Sequence, residues 1–204
     1  MEEFLLILAR LYPHPKTELN YRTPFELLVA VILSAQCTDK QVNKVTAKLF
    51  AKYNRPEQMA ALTPEELAGE IKECGLFRSK SKNIVAASRM LMQEYQGRVP
   101  EDREELEKLP GVGRKTANVM AIVAFGQPAM PVDTHVFRLA HRFGWSQGKT
   151  PLAVEKDLLA LFPPEILADL HHQLILHGRR VCKARHPLCG ECALQQICPS
   201  AFKE

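Results

Sequence analysis

The sequence predicts an all-α protein. Apolar residues recur at a spacing near 3.6 residues along most of the chain, and proline or glycine stands at the breaks between these stretches. No segment gives a convincing strand pattern. At 204 residues, 46% of them hydrophobic and 25% charged, the chain is typical of a globular protein with one large core or two smaller ones.

The first six predicted helices lie in the N-terminal half of the chain. Their bounds are Glu2–Tyr12, Pro24–Ser34, Asp39–Tyr53, Arg55–Ala61, Pro64–Lys72 and Lys80–Tyr95. Three of these helices follow a threonine, whose side chain can accept an N–H of the first turn that has no partner within the helix. These threonines are Thr23, Thr38 and Thr63, and a proline follows Thr23 and Thr63 at the first helical position.

Five more helices are predicted in the C-terminal half. Their bounds are Arg103–Lys108, Arg114–Phe125, Thr134–Phe143, Pro151–Leu161 and Pro164–His177. Thr150 and Pro151 repeat the threonine–proline start signal. Residues 126–131, which read GQPAMP, end the helix before them because glycine and proline do not continue a helix.

A glycine hairpin precedes the helix that begins at Arg114, in the segment LPGVGRKTA from Leu109 to Ala117. Both of its glycines can take positive φ and turn the backbone tightly. The N–H groups of the hairpin and of the first helical turn lack partners within the helix and lie at the positive end of its dipole. The sequence therefore predicts a site for an anion such as a DNA phosphate. Its predicted contact residues are Gly111, Val112, Gly113, Arg114 and Thr116.

Lys115 lies in the same first turn, where a cation is disfavoured, so a larger share of its amine should be neutral and able to attack carbon. The helix Arg114–Phe125 is about 18 Å long, at about 1.5 Å per residue. The six residues 126–131 can span roughly 20 Å and return the chain to the start of that helix. Asp133, in the segment VDTH, should then lie near Lys115. The alternatives are that Lys115 is a solvated lysine and Asp133 an ordinary helix cap.

Four cysteines near the C-terminus, Cys182, Cys189, Cys192 and Cys198, follow the pattern C-x6-C-x2-C-x5-C. Their thiolates can converge on one metal centre, and the spacing permits either zinc or an iron–sulfur cluster. The loop contains few large apolar residues, so metal–thiolate bonds would replace a small core. The basic residues around it either offset the charge of the centre or contact DNA phosphates. These residues are Arg179, Arg180, Lys183, Arg185 and His186.

The remaining cysteines and the histidines carry no predicted chemistry. Cys37 and Cys74 lie in apolar stretches and are expected to be small buried hydrophobes. We expect the histidines to pack or to bond the backbone; those concerned are His135, His171, His172 and His177. No signal peptide or membrane span is predicted, which favours the cytosol, where disulfides are rare. The net charge of +4 is mild, so a nucleic-acid partner is predicted from the motifs alone.

The segments LPGVGRKTA and VDTH closely resemble those of the helix-hairpin-helix DNA glycosylases, and of the endonuclease III family in particular. The pattern and position of the four cysteines resemble that family's [4Fe–4S] loop. The resemblance runs over nearly the whole chain. It implies a bifunctional DNA glycosylase and AP lyase of base excision repair, which removes oxidised pyrimidines from duplex DNA and cleaves 3′ to the abasic site by β-elimination. Lys115 would be the nucleophile that forms a Schiff base, and Asp133 the essential carboxylate.

The resemblance also implies two lobes with DNA in the cleft between them. Residues 16–127 would form a six-helix lobe with the hairpin, and residues 1–15 and 128–204 a second lobe with the [4Fe–4S] loop, residues 182–198. The enzyme would be a monomer of prokaryotic type, in the cytoplasm and associated with the nucleoid.

A glycosylase must flip its target nucleotide out of the stack, and side chains should fill the space that is left. By resemblance these are Gln36 and Leu76. The alternatives are a polar helix end for Gln36 and a core contact for Leu76. Three basic residues follow Leu76 and either grip the DNA backbone or form a solvated helix start: Arg78, Lys80 and Lys82.

Two alternative functions stay open at this point. An adenine or mismatch-specific glycosylase of the same fold would share the hairpin, the aspartate and the cluster, but such enzymes usually lack a lysine at the position of Lys115. A non-catalytic DNA-binding iron–sulfur module would not need Lys115 and Asp133 together. The lysine therefore favours the lyase.

Overall fold

The computed structural model describes residues 1–203, and within that range the regular secondary structure is helical, with no strand. The fold-class prediction is confirmed. The α-helices are α1 Glu2–Leu11, α2 Pro24–Ser34, α3 Asp39–Phe50, α4 Pro56–Ala60, α5 Pro64–Glu70, α6 Phe77–Glu94, α7 Arg103–Lys108, α8 Arg114–Ala124, α9 Thr134–Arg142, α10 Pro151–Leu161 and α11 Leu167–Arg180. Two 3₁₀ turns, Pro164–Ile166 and Cys189–Glu191, complete the set.

The predicted threonine caps are confirmed. Each threonine side chain accepts the backbone N–H of the residue three positions later, at the start of α2, α3, α5 and α10. The four caps are Thr23, Thr38, Thr63 and Thr150. At α5 the carboxylate of Glu66 also accepts the Thr63 N–H at 2.7 Å, which completes a capping box.

Three predicted helices differ from the structure by three residues at one or both ends, and the other differences are of one or two residues. Helix α6 starts at Phe77 rather than Lys80, because Leu76 acts as its N-cap in a left-handed conformation (φ 58°) and its carbonyl accepts the Lys80 N–H at 3.0 Å. Helix α3 ends at Phe50, before the predicted Tyr53. The last predicted helix begins with the 3₁₀ turn and extends to Arg180 instead of His177.

The chain divides into two compact units. The hairpin unit is Glu18–Gly126. The cysteine unit consists of Met1–Thr17 and the chain from Gln127 onward. No helix within residues 1–203 is both long enough and apolar enough to cross a membrane.

The hairpin unit contains α2 to α8, which are seven helical segments where the resemblance implied six. Its centre is α2, in which every residue from Phe25 to Leu33 is buried. Helix α6 packs on α4 and α5, and α8 packs on α2 and α7. The turn between α7 and α8 is thus fixed against the central helix of this unit.

The cysteine unit contains α1, α9, α10 and α11, and α9 packs on both α10 and α11. Aromatic rings form its core: the Phe4 and Phe143 centroids are 4.9 Å apart, and those of Trp145 and Phe162 are 4.8 Å apart. Leu194, between the third and fourth cysteines, is fully buried in the same core. The cysteine-rich segment is therefore attached to the unit by a side chain as well as by its thiols.

Candidate functional site

The hairpin between α7 and α8 is a tight turn in which the Leu109 carbonyl accepts the Val112 N–H at 3.0 Å. Pro110 followed by Gly111 with φ +82° fits a type II turn, which needs positive φ at its third residue. Leu109 and Val112 are buried and anchor the turn. Gly113 has φ −98°, so the expectation that both glycines use positive φ is wrong for Gly113. It is the N-cap of α8, a position that takes extended backbone.

Gly111 also lies against α6. A β-carbon at this position would come within 2.8 Å of the Asn83 β-carbon, a distance that real structures do not tolerate. A β-carbon on Gly113 would meet nothing within 4 Å. The two hairpin glycines thus differ. Position 111 requires glycine because its φ is positive and because a β-carbon would clash with Asn83, whereas neither reason applies at position 113.

The N-terminus of α8 has the character of an anion site. Gly113 offers no side-chain cap, and the first turn holds no acidic residue. The Ala117 N–H makes the first bond of the helix, to the Gly113 carbonyl at 2.9 Å, so the N–H groups of Lys115 and Thr116 before it have no partner within the helix. Lys115 is exposed in this turn. Because Val112 is 5% exposed, only its backbone can contact a ligand.

Asp133 caps α9. Its Oδ1 accepts the backbone N–H groups of His135 and Val136, both at 2.8 Å, and neither bond uses Oδ2. The helix-cap interpretation is therefore confirmed, while one carboxylate oxygen stays available for chemistry. Burial lowers the pKa of His135, and the neighbouring Asp133 opposes that shift. Lys115 and Asp133 belong to different units, so their predicted proximity stays a prediction.

Gln36 and Leu76 share an uncommon backbone geometry. Both have left-handed φ, 52° and 58°, although neither is glycine. Leu76 is 55% exposed, so the alternative that it makes a core contact is wrong. Gln36 is exposed just beyond the end of α2. The two segments touch, because a β-carbon on Gly75 would lie 3.2 Å from the Gln36 carbonyl oxygen.

Of the three basic residues after Leu76, Arg78 and Lys82 are exposed, but Lys80 is 4% exposed. Neither alternative for Lys80 is correct, since its Nζ donates to the Leu33 carbonyl at 2.8 Å instead of facing solvent.

Cys74 is buried, as expected. Its burial, and to a smaller extent the nearby Cys37 thiol, raise the pKa of the Cys74 thiol to about 11. Cys37 is only half-buried and shares a side-chain hydrogen bond with Cys74.

The four C-terminal cysteines line a single pocket. Each is half-buried and free of disulfides. Burial raises the pKa of the Cys192 and Cys198 thiols, while backbone N–H groups from Leu194 and Ser200 bond their sulfurs and lower it. N–H groups directed at thiolates are typical of iron–sulfur sites, so the donor set fits such a cluster. Within residues 1–203, no three His, Cys, Asp or Glu side chains are grouped closely enough to hold one metal ion.

Two further side chains bond the cysteine sulfurs. Arg142 donates through Nη1 to Cys182 Sγ at 3.3 Å, and His177 Nε2 lies 3.6 Å from Cys192 Sγ. The other nitrogen of His177 lies 3.2 Å from the Tyr12 hydroxyl. Burial lowers the pKa of His177 to about 4, so the ring is neutral. His177 was expected to pack or to bond the backbone, so its contact with a cysteine sulfur was not predicted. Only its position on the helix that enters the cysteine loop could have indicated it.

Arg138 joins the helix of Asp133 to the cysteine loop. Its Nη2 donates to the Cys182 carbonyl at 2.8 Å and to the Gly178 carbonyl at 3.0 Å. A β-carbon on Gly178 would lie 2.9 Å from His135 Nδ1, so α9 and α11 approach closely here. Arg138 and Arg142 are four residues apart on α9, a spacing that places both on one face. That spacing is the sequence signal that could have indicated their contacts with the cysteine loop.

The predicted DNA-contact cations of the loop are at the surface. Arg180, Lys183 and Arg185 are exposed, and the Arg180 guanidinium lies 5.8 Å from the Tyr12 ring centroid. Thr116 and Arg114 at the hairpin are half-buried. Each cation is thus accessible to a ligand.

Two family models match the chain. The first is described as the HhH-GPD superfamily base excision DNA repair protein and covers residues 29–164. The second is the iron–sulfur binding domain of endonuclease III and covers residues 182–198. The second match decides between zinc and iron–sulfur for the four cysteines.

Known proteins resemble the whole chain. Endonuclease III of Haemophilus influenzae is 52% identical over 196 residues, which is 96% of this chain and 93% of the relative. A solved trapped endonuclease III–DNA covalent intermediate is 49% identical, with a TM-score of 0.93 over 97% of this chain and 93% of that one. A thermostable thymine-DNA glycosylase is also similar, with a TM-score of 0.90 over 100% and 97% of the two chains, but is 26% identical.

Proposed function

Because this chain belongs to the endonuclease III family, within the HhH-GPD superfamily of base excision DNA repair proteins, we propose that Lys115 and Asp133 are its catalytic residues. The protein is a DNA glycosylase with AP lyase activity, acts on double-stranded DNA, and carries a [4Fe–4S] cluster in residues 182–198. Its substrates are proposed to be oxidised pyrimidines and abasic sites. The mismatch-specific alternative is not favoured, because the thymine-DNA glycosylase is about half as identical as the endonuclease III relatives.

One observation carries the assignment of Lys115. Its exposed amine lies in the first turn of α8, directly after the glycine hairpin and beside N–H groups that have no partner within the helix. Those N–H groups can hold a DNA phosphate through the positive end of the helix dipole. The amine is thereby placed next to the sugar that the phosphate belongs to.

The proposed reaction uses the Lys115 amine as its nucleophile. Lys115 Nζ attacks C1′ of the flipped nucleotide, and the bond from C1′ to the base breaks, with the electron pair leaving on the base. The sugar ring opens to an imine between Nζ and C1′. Loss of a C2′ proton then expels the 3′ phosphate by β-elimination, and water hydrolyses the imine to free the lysine.

Asp133 is suited to assist because its two oxygens have separate tasks. Oδ1 is fixed by the two N–H groups of α9, and Oδ2 takes part in neither bond. We assign Oδ2 to accepting the proton of the attacking amine or to stabilising positive charge on the sugar. Lys115 and Asp133 would act on the same nucleotide.

DNA contacts are assigned by side-chain chemistry. The exposed, left-handed Gln36 and Leu76 would fill the space left by the flipped nucleotide. The hairpin residues Gly111 to Arg114, together with Thr116, would bind phosphate, and the surface cations would add further phosphate contacts. These cations are Arg180, Lys183 and Arg185. We also propose that the protein works in the cytoplasm, associated with the nucleoid.

The ligands of the cluster would be the four thiolates of Cys182, Cys189, Cys192 and Cys198. The cluster supplies cross-links between distant points of a loop that has few apolar residues of its own. Arg142 and His177 would bond the ligand sulfurs, and Arg138 would fix the loop to the helix that Asp133 caps.

The test is borohydride trapping of the imine on an abasic duplex. Wild-type protein should give a covalent adduct, and Lys115→Gln should give none while still binding the DNA. Lys52→Gln, which removes an exposed lysine paired with Glu70 at 2.8 Å, is the control and should trap normally. An adduct with Lys115→Gln at the wild-type level would contradict the assignment.

A further inference from the structure

Lys80 bonds both segments that carry Gln36 and Leu76. Its backbone N–H donates to the Leu76 carbonyl at 3.0 Å, at the first turn of α6. Its side-chain Nζ donates to the Leu33 carbonyl at 2.8 Å, three residues before Gln36. One residue therefore connects the end of α2 to the start of α6.

The bond from the Lys80 side chain gives a hydrogen-bond partner to a carbonyl in the last turn of α2. The last carbonyls of a helix lack partners within it and carry partial negative charge. In α2 the Val31 carbonyl accepts the Ser34 hydroxyl at 2.8 Å, and the Ser34 carbonyl accepts the Cys37 N–H at 3.1 Å. The Leu33 carbonyl is bonded by Lys80. A cation from another helix thus caps α2 where Gln36 leaves it.

This position is costly for a lysine. The side chain is 4% exposed, and burial lowers the pKa of Lys80 because it disfavours the ammonium. The thiols of Cys37 and Cys74 oppose that shift. An apolar side chain would fill the same space without this penalty but could not bond the Leu33 carbonyl.

The left-handed backbone of Gln36 and of Leu76 needs support from neighbouring groups such as Lys80. A non-glycine residue with left-handed φ is strained and persists only where its surroundings hold it. Gln36 and Leu76 both have this geometry. The contact between Gly75 and the Gln36 carbonyl shows that their segments are packed together, with Lys80 bonding each.

We propose that Lys80 is a positioning residue that holds Gln36 and Leu76 in the fixed arrangement needed to fill the space left by the flipped nucleotide. This rests on the proposed function, in which those two side chains enter the DNA stack. Lys80 itself contacts no DNA. Its loss releases the end of α2 from the start of α6, so that the two side chains no longer enter the stack together.

The test uses the holoenzyme and one lesion in two duplexes, one with the lesion paired and one with it opposite a missing base. Flipping is harder from the paired duplex, so a defect in filling the stack lowers the single-turnover rate selectively there. Lys80→Met should slow base removal at least about tenfold on the paired duplex, equivalent to about 1.4 kcal/mol, and less than about threefold on the unpaired one. A fluorescent base beside the lesion should report less flipping.

Two control variants separate the possible failures. Leu76→Ala should show the same selective loss. If it does not, the proposed role of Leu76 is wrong. Lys52→Met removes an exposed charge in the same unit and should change neither rate.

The inference about Lys80 is overturned if Leu76→Ala loses rate selectively while Lys80→Met lowers both rates equally or neither. A purely structural role would give the equal loss. Should Lys80→Met not fold, Lys80→Gln provides the same comparison, since its side chain is one carbon shorter and carries no charge. An unchanged ratio of the two rates in folded Lys80→Gln also overturns the inference.

Discussion

Asp133 accepts the Val136 N–H through Oδ1 at 2.8 Å, and the same oxygen accepts the His135 N–H. The side chain thus stabilises the start of α9 with one oxygen only. An amide oxygen can serve as a helix cap as well as a carboxylate oxygen does. Folding and catalysis at this residue can therefore be separated by a single substitution.

Asp133→Asn should keep the fold and lose catalysis. The amide oxygen retains the cap, so we expect the free energy of unfolding to change by less than about 1 kcal/mol. Removal of the negative charge should lower the single-turnover rate at least about 100-fold, since proton transfer by a positioned group contributes at least that much. Urea unfolding and incision kinetics measure the two effects.

The matched control for this prediction is Asp102→Asn. Asp102 caps α7 and also accepts two backbone N–H groups through Oδ1, at 2.8 and 3.0 Å. It should show the same small change in stability and no loss of incision. Equal turnover by Asp133→Asn and wild-type protein would remove the carboxylate from the mechanism.

Gly111→Ala should destabilise the hairpin. The residue has φ +82°, and a β-carbon would lie 2.8 Å from the Asn83 β-carbon, so both strain and a clash oppose the change. We expect a loss of roughly 1–3 kcal/mol in the free energy of unfolding and weaker binding of duplex DNA. Urea denaturation and a binding titration give the two values.

Gly113→Ala provides the comparison for stability alone. Its φ is −98°, and nothing lies within 4 Å of the added carbon. The free energy of unfolding should fall by no more than about 1 kcal/mol, because the change loses only the preference for glycine over alanine at an N-cap and adds neither strain nor a clash. If the two glycine variants are equally destabilised, positive φ and the Asn83 contact are not what requires Gly111.

Removal of the cluster should loosen the cysteine loop selectively. The loop has one fully buried large side chain, Leu194, and otherwise depends on its thiols and on bonds from Arg138 and Arg142. After oxidation and chelation, trypsin should cut after Lys183 and Arg185 several times faster, while the hairpin unit stays protected.

Cysteine variants test the same point without a chelator. Cys189→Ala should lose the visible absorption of the cluster and show the fast cleavage. Cys37→Ser, a half-buried thiol of the hairpin unit, should keep both the absorption and the slow cleavage. Slow cleavage in a cluster-free protein would show that the loop does not depend on the metal centre.

Acid should destabilise the protein partly through His172. Burial lowers the pKa of this histidine, with Asp169 opposing, so the folded state binds its proton less readily than the unfolded state does. The unfolded state therefore holds more protons as the pH falls below about 6.5, and stability declines in that range. Above that pH both states are neutral at this residue and it contributes no pH dependence.

The measurement is the free energy of unfolding at pH 7.5 and at pH 5.5, with the cluster absorption monitored. His172→Gln cannot take up the proton and should show a smaller decline than wild-type protein. His14→Gln, at an exposed position, should decline as wild type does. An identical decline in His172→Gln would show that other groups set the pH dependence.

Local signals in the sequence were sufficient to predict the helices and most of their starts. Thr23, Thr38, Thr63 and Thr150 were predictable because a cap bonds its own chain three residues later. The same is true of Asp133, whose partners are His135 and Val136. Cysteine spacing indicated a metal centre for a similar reason, since four ligands close in sequence can meet without help from the fold.

The role of Lys80 could not be predicted, because its partner Leu33 lies 47 positions earlier and on another helix. Its neighbours Arg78 and Lys82 have the same sequence character but are exposed. The burial of one cation among three depends on how α6 packs. The bonds of Arg142 and His177 to cysteine sulfurs are long-range in the same way.

The division of the chain between the two units has a consequence for its synthesis. Helix α1 is made before the hairpin unit, yet α11, on which it packs, is made after that unit. The hairpin unit, by contrast, is a continuous stretch that can fold while the rest of the chain is still being translated. Until α11 emerges, the apolar face of α1, with Phe4 and Leu8, lacks the helix on which it packs in the folded protein.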